Sequence, residues 1–204
     1  MPVHAFIDES VRDQRYLLCM TLVAPAQLAP SRRELNALLL PGARELHFKK
    51  EKEPRRRLLI DRIAALEATA TIYLGSCTRK TEENTRQKCL ERAVTDLLAK
   101  SAHRLVLDSR DHRDIHDRKT LQRALGYRPS KTELTYEHLN STSEPLLWIS
   151  DAAGWCFGAG GDWRRRAAPL IESIVEVRTA KSPRDDRPDA SRAFILGPTG
   201  ASHR

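Results

Sequence analysis

Near the start of the chain an apolar run ends abruptly in acid: Val3-His4-Ala5-Phe6-Ile7-Asp8-Glu9-Ser10. The run reads as a buried strand, and an ionised carboxylate at its tip is costly unless it is paired or metal-bound. Strand-tip aspartates that converge from several segments hold Mg2+ or Mn2+, which prefer hard oxygen ligands. That chemistry needs further carboxylates, and the chain offers three. Glu45 lies in Ala43-Arg44-Glu45-Leu46-His47-Phe48, and Asp108 ends His103-Arg104-Leu105-Val106-Leu107-Asp108-Ser109, a repeat of the opening pattern. Asp151 is the only charge in the apolar stretch from Pro145 to Phe157. Glu9 alternates to the face opposite Asp8 and reads as a structural or supporting group.

Two parallel neighbouring strands lie about 4.8 Å apart, so aligned tips place Asp8 and Asp108 within reach of one cation. Two divalent ions in such a site sit roughly 3.5–4 Å apart, one activating water and one stabilising the leaving oxygen of a phosphodiester. Crowded carboxylates repel, so their pKa values rise without metal and fall when it binds. His47, two residues from Glu45, suits a proton shuttle or a phosphate contact, with an ordinary hydrogen-bonded histidine as the plainer reading. Lys49, Lys50, Arg55, Arg56 and Arg57 follow closely and can bind nucleic-acid phosphates; a solvated basic helix start is the default. His112 and His116 share a helix face but have no third ligand nearby in the sequence. Trp148, Trp155 and Trp163 read as core or rim before they read as base-stacking platforms.

The elements that must position these groups follow from pattern. Arg15 to Val23 predicts a second buried strand, joined to the first by a short polar turn as an antiparallel hairpin. Ser31 is expected to cap a helix from about Arg32 to Leu40. The Glu45 segment predicts a short strand or an extended active-site segment, with Glu45 and His47 on one side. A helix from Pro54 to Leu66 is expected to bury Leu58, Leu59, Ile63 and Leu66, and Thr69 to Gly75 predicts a third strand. Thr81 opens a helix to about Ala99 that buries Cys89, Leu90, Ala93, Leu97 and Leu98. The strand ending at Asp108 is then parallel to the first, reached by a crossover. Further expectations are a helix from Arg110 to Leu125, a strand from Leu134 to Leu139 and a tightly packed helix over Pro145 to Phe157. A last helix is expected to begin at Arg164, followed by a short strand over Ile174 to Val177.

A chain of 204 residues fits one domain with a real core. The expected organisation is a domain over 1–178 and a flexible basic tail over 179–204, where Pro183, Pro188 and Pro198 sit among polar residues. The net charge of +8 suggests a polyanion partner, with arginine-rich coding in a high-GC genome as the plainer source. The four cysteines are far apart, which argues against a zinc cluster. No signal-peptide pattern precedes the first strand and no apolar run approaches membrane-spanning length, so the expectation is a cytoplasmic protein without membrane contact.

The order Asp, Glu, Asp, Asp on a βββαβα framework is similar to the ribonuclease H-like superfamily. More closely, Phe6-Ile7-Asp8-Glu9-Ser10, Glu45-Leu46-His47, Leu107-Asp108 and Ser150-Asp151-Ala152-Ala153 resemble bacterial domain-of-unknown-function family 3800, over about residues 3 to 177. Members of that family open with Asp-Glu-Ser, carry a Glu-x-His segment and close with Ala-Asp on a late helix. Here Val11 replaces the usual following glycine and Ser150 the usual alanine. The resemblance implies an α/β, ribonuclease H-like mixed sheet flanked by helices. It further implies a Mg2+- or Mn2+-dependent nuclease, a hydrolase of nucleic-acid phosphodiesters, with Asp8, Glu45, Asp108 and Asp151 as metal ligands. Two rivals stand beside it: a catalytically inactive nucleic-acid- or partner-binding module of the same fold, and a strand-transfer enzyme of a mobile-element or defence system. DNA against RNA, and oligomeric state, stay open.

Overall fold

The computed structural model describes residues 3–126 and 134–178; the segment expected as a tail lies outside them. The first hairpin pairs β1 (His4–Arg12) with β2 (Arg15–Val23) through a two-residue turn. Asp13 and Gln14 both take positive φ there, 49° and 61°, the backbone twist that a tight hairpin requires. β3 (Ala68–Ser76) adds antiparallel to β2. β4 (Arg104–Asp108) returns to the far side of β1 as a parallel strand, and β5 (Thr135–Leu139) pairs parallel to β4. β6 (Ile171–Glu176) pairs parallel to β3, completing the order β5-β4-β1-β2-β3-β6. The mixed sheet flanked by helices is the expected α/β, ribonuclease H-like architecture.

Side-chain alternation sends the strands' apolar residues to two cores. Phe6, Leu17, Cys19, Ile72 and Val106 pack on one face against α2 (Glu53–Ile63) and α5 (Leu147–Ala159). Ile7, Leu18, Met20 and Leu107 pack on the other against α3 (Glu82–Ala99) and α4 (Asp114–Leu125). The even-numbered residues of β1, Asp8 among them, therefore share the α5 face.

Several boundaries differ from expectation. α1 runs over Leu28–Ala37, so Ser31 is a buried residue inside the helix and caps nothing. The segment around Glu45 forms no strand; it is irregular chain ending in a 3-10 turn at Phe48–Lys50. In α2, Leu58 is 54% exposed while Ile60 is buried, because the helix begins at Glu53 and packs through Leu59, Ile60 and Ile63. On α3, Leu98 is exposed and Val94 takes its place. α6 spans Gly161–Ala167, so Arg164, Arg165 and Arg166 end that helix, where cations suit its dipole, and do not begin it.

Candidate metal centre

β1 and β4 are in register from His4↔Arg104 to Ile7↔Leu107. The next residues, Asp8 and Asp108, thus leave adjacent parallel strands side by side. Phe6 and Val106 lie in the α5-side core, so period-two alternation points both carboxylates to that same face.

α5 brings the third acid. Ala152, Ala153, Gly154 and Gly158 let it approach the sheet closely. A Cβ on Gly158 would sit only 2.9 Å from Leu17 Cδ1, whereas one on Gly154 would just reach ordinary contact, 3.4 Å from the Cys19 Cβ. The Ser150 hydroxyl donates to the Phe6 carbonyl at 2.9 Å and shares a 2.8 Å hydrogen bond with Thr21 Oγ1. That pins the helix to β1 two residues before Asp8 and sets Asp151 beside the strand tips. The Phe48 amide donates to Asp151 at 3.0 Å, and His47 Nδ1 lies 3.8 Å from the same carboxylate. Glu45 is held by a hydrogen bond from the Ser141 hydroxyl.

Asp8, Glu45, Asp108 and Asp151 all line one cavity of about 320 Å³, together with Glu9, His47, Lys50, Ser141 and Trp148. Burial, followed by the charges of Asp151, Glu9 and Asp108, pushes the Asp8 carboxyl well above the usual carboxylate range. Burial and the charges of Glu9 and Asp151 push Asp108 up to about 6 against the pull of the Ser141 amide. Burial raises Asp151 as well, opposed by the Phe48 amide and His47. Among the described residues no lysine or arginine forms an ion pair with any of the four. The remaining buried carboxylates are neutralised or satisfied: Glu144 by Arg32, Asp117 by Arg86 and Arg110, Asp114 by the Arg110 amide and the Ser109 hydroxyl. An acidic cavity left unneutralised in a chain of net charge +8 fits a divalent cation by donor chemistry, since all four side chains offer hard oxygens.

The other expected residues divide. Lys50 lines the cavity and Lys49 is exposed beside it. Arg55 pairs with Glu51 at 2.9 Å and donates to the Leu38 carbonyl. Arg56 lies over Trp155, its Cζ 4.6 Å from the ring centroid, and over Trp163 at 5.4 Å. His112 and His116 are exposed. Trp148 is core, its indole N–H donating to the Ser141 carbonyl at 2.8 Å.

Behind the sheet lies a cluster that motif reading misses. Arg86 is 1% exposed and donates to both Asp117 oxygens at 2.8 and 2.7 Å, to the Tyr16 hydroxyl at 2.9 Å and to Glu9. Its signal is periodic: residue 86 falls three and four before Cys89 and Leu90, on the buried stripe of α3. Asp114, Asp117 and His138 bring ligand atoms within 4.8 Å of one another, a donor set compatible with a metal. There, however, Asp117 already accepts from Arg86, from Arg110 at 2.9 Å and contacts His138 at 3.3 Å. A cation in that place would have to displace buried guanidinium groups, so the acidic cavity is the better candidate.

No family model matches the sequence and no curated protein matches it. Among solved structures, the chain is similar to one in the PCNA:RNase HII complex from Archaeoglobus fulgidus, with 12% identity, 76% of this chain and 70% of that chain covered, and a TM-score of 0.47. No described helix is long and apolar enough to cross a membrane.

Proposed function

We propose that this chain is a Mg2+- or Mn2+-dependent nuclease that hydrolyses nucleic-acid phosphodiesters by a two-metal mechanism. The observation that carries the reading is the gathering of Asp8, Glu45, Asp108 and Asp151 in one cavity without a neutralising lysine or arginine ion pair. The resemblance of the Asp-Glu-Ser, Glu-x-His and late Asp segments to family 3800 points the same way.

In this reading Asp8 and Asp108 form the rigid half of the site, because both sit on paired strands. Asp151 has its orientation set by the Phe48 amide, and Glu45 by Ser141. These four carboxylates would hold the divalent cations, which would supply an activated water and a counter-charge for the departing oxygen. His47, 43% exposed at the side chain and beside Asp151, takes the role of proton shuttle in this reading. Lys50 at the cavity wall offers a point charge to a phosphate.

The test is cleavage of labelled single- and double-stranded DNA and RNA with Mg2+ or Mn2+, for the wild type, Asp8→Asn and Asp108→Asn. Loss of a shared ligand removes most transition-state stabilisation, so each variant should fall by about 10²-fold or more. Wild-type binding of nucleic acid without cleavage under any metal would instead establish the inactive binding module.

A further inference from the structure

One helical turn beyond Asp151, on the same face of α5, stands Trp155. Four residues beyond Asp8, on the same face of β1, stands Arg12. Two elements far apart in sequence thus change from acid to cationic-aromatic in the same direction along the sheet. The Arg12 guanidinium lies 5.3 Å from the Trp155 ring centroid, and Arg56 lies 4.6 Å from it. Arg56 also reaches Trp163 at 5.4 Å, and Arg57 covers Trp163 at 5.2 Å. Phe48, whose amide holds Asp151, supports the same cluster, its ring 5.3 Å from that of Trp155.

The arginines of this ladder are unequal. Arg57 is spent on Asp162 and Glu53, at 2.6 and 2.7 Å. Among the described residues Arg12 and Arg56 make no ion pair or side-chain hydrogen bond, and Arg56 Nε is buried without a hydrogen-bond partner. Arg12 also stands directly opposite Arg15 across the hairpin, where two like charges destabilise the pairing. A guanidinium over a tryptophan face keeps its in-plane N–H donors, and two terminal ones can meet a phosphate bidentately.

We propose that Arg12 and Arg56, held by Trp155, form a phosphate subsite that grips the backbone of a nucleic-acid strand leading away from the carboxylate cavity. The subsite deepens the nuclease reading, on which its service to a catalytic cavity rests, while its grip on phosphates is independent of it. By strand geometry it begins about 13 Å from Asp8, four residues at roughly 3.3 Å each. It takes phosphodiesters without reading bases, so it serves position and affinity.

The test measures binding apart from cleavage. Fluorescein-labelled mixed-sequence DNA, single-stranded and duplex, is titrated by anisotropy in EDTA over a range of salt. The proteins are the wild type, Arg12→Gln, Arg56→Gln, Arg56→Lys, and Arg123→Gln as an equal-charge control on α4. Arg12→Gln and Arg56→Gln should each weaken binding by about fivefold and reduce the slope of log K against log salt by about 1. Arg56→Lys should recover the salt slope and only part of the affinity, because lysine keeps the charge without the fork. Comparing the two DNA forms identifies which supplies the phosphates. Losses no larger than that of Arg123→Gln, or a wild type that binds neither DNA form, overturn the subsite. Arginine-dependent binding together with absent metal-dependent cleavage sinks the nuclease reading and leaves the subsite standing.

Discussion

Arg86 shows what a buried charge costs when a partner is taken away. It is enclosed with Asp117, which is 0% exposed at the side chain, while Glu9 continues the network towards the acidic cavity. Replacing one partner of such a pair strands the other without solvent or counter-ion. Arg86→Met should therefore destabilise the fold by about 3–5 kcal/mol, read from urea unfolding midpoints. A loss below about 1 kcal/mol would mean that Arg110 and His138 satisfy Asp117 by themselves. The pH dependence has a definite sign. The hydrogen bonds and charges of Arg86, His138 and Arg110 outweigh burial and hold Asp117 well below the usual carboxylate range. Its stabilisation is present above the unfolded pKa of about 3.9 and lost as pH falls toward the folded value, so the gap between wild type and variant narrows in acid.

At the scale of elements, α5 decides whether Asp151 meets the strand tips. A Cβ at Gly154 reaches ordinary contact with Cys19 at 3.4 Å and Ser10 at 3.9 Å, so Gly154→Ala should be tolerated. The branches of Gly154→Val press into β1 and β2. The expected cost is about 1–3 kcal/mol in thermal or urea unfolding, with weaker Mn2+ binding by calorimetry as the helix lifts away. Equal stability and Mn2+ affinity in both variants would show that the close packing sets nothing. The strands and α5 are legible in the sequence because burial writes a local period: continuous apolar runs for β1, β2 and β4, small residues for the helix. The pairing of Asp8 with Asp108 follows from the two matching strand ends. Glu45 is placed by Ser141, ninety-six residues away, and Phe48 by Asp151, so no local period describes that segment. The Arg12–Trp155–Arg56 ladder is illegible for the same reason, since it joins β1, α5 and α2.

For the molecule as a whole, four carboxylates without a lysine or arginine ion pair tie stability to pH and, on the proposed reading, to metal. Asp108, at about 6, holds its proton in the native state where the unfolded chain has lost it. Metal-free stability therefore falls as pH rises from about 4 to about 6, and Asp8, raised in the same direction, extends the fall. On the proposed reading, a divalent cation in the cavity would reverse this by replacing those protons. Saturation at about a hundredfold over Kd should add about 2.7 kcal/mol, roughly 5–10 °C in Tm for a chain of this size. The Mn2+-induced shift should be small near pH 5 and grow through about pH 7, and should vanish in Asp8→Asn. A shift of equal size at both pH values would place the ion elsewhere.

The four acids of the cavity come from residues 8, 45, 108 and 151, spread over most of the chain. No contiguous fragment ending before α5 contains them all, and none beginning after β1 does. The site is therefore a property of the whole span from β1 to α5: a polypeptide still being synthesised has no complete cavity until the residues of α5 have emerged and docked. On the proposed nuclease reading, that long sequence separation makes any cleavage wait on the synthesis and docking of α5.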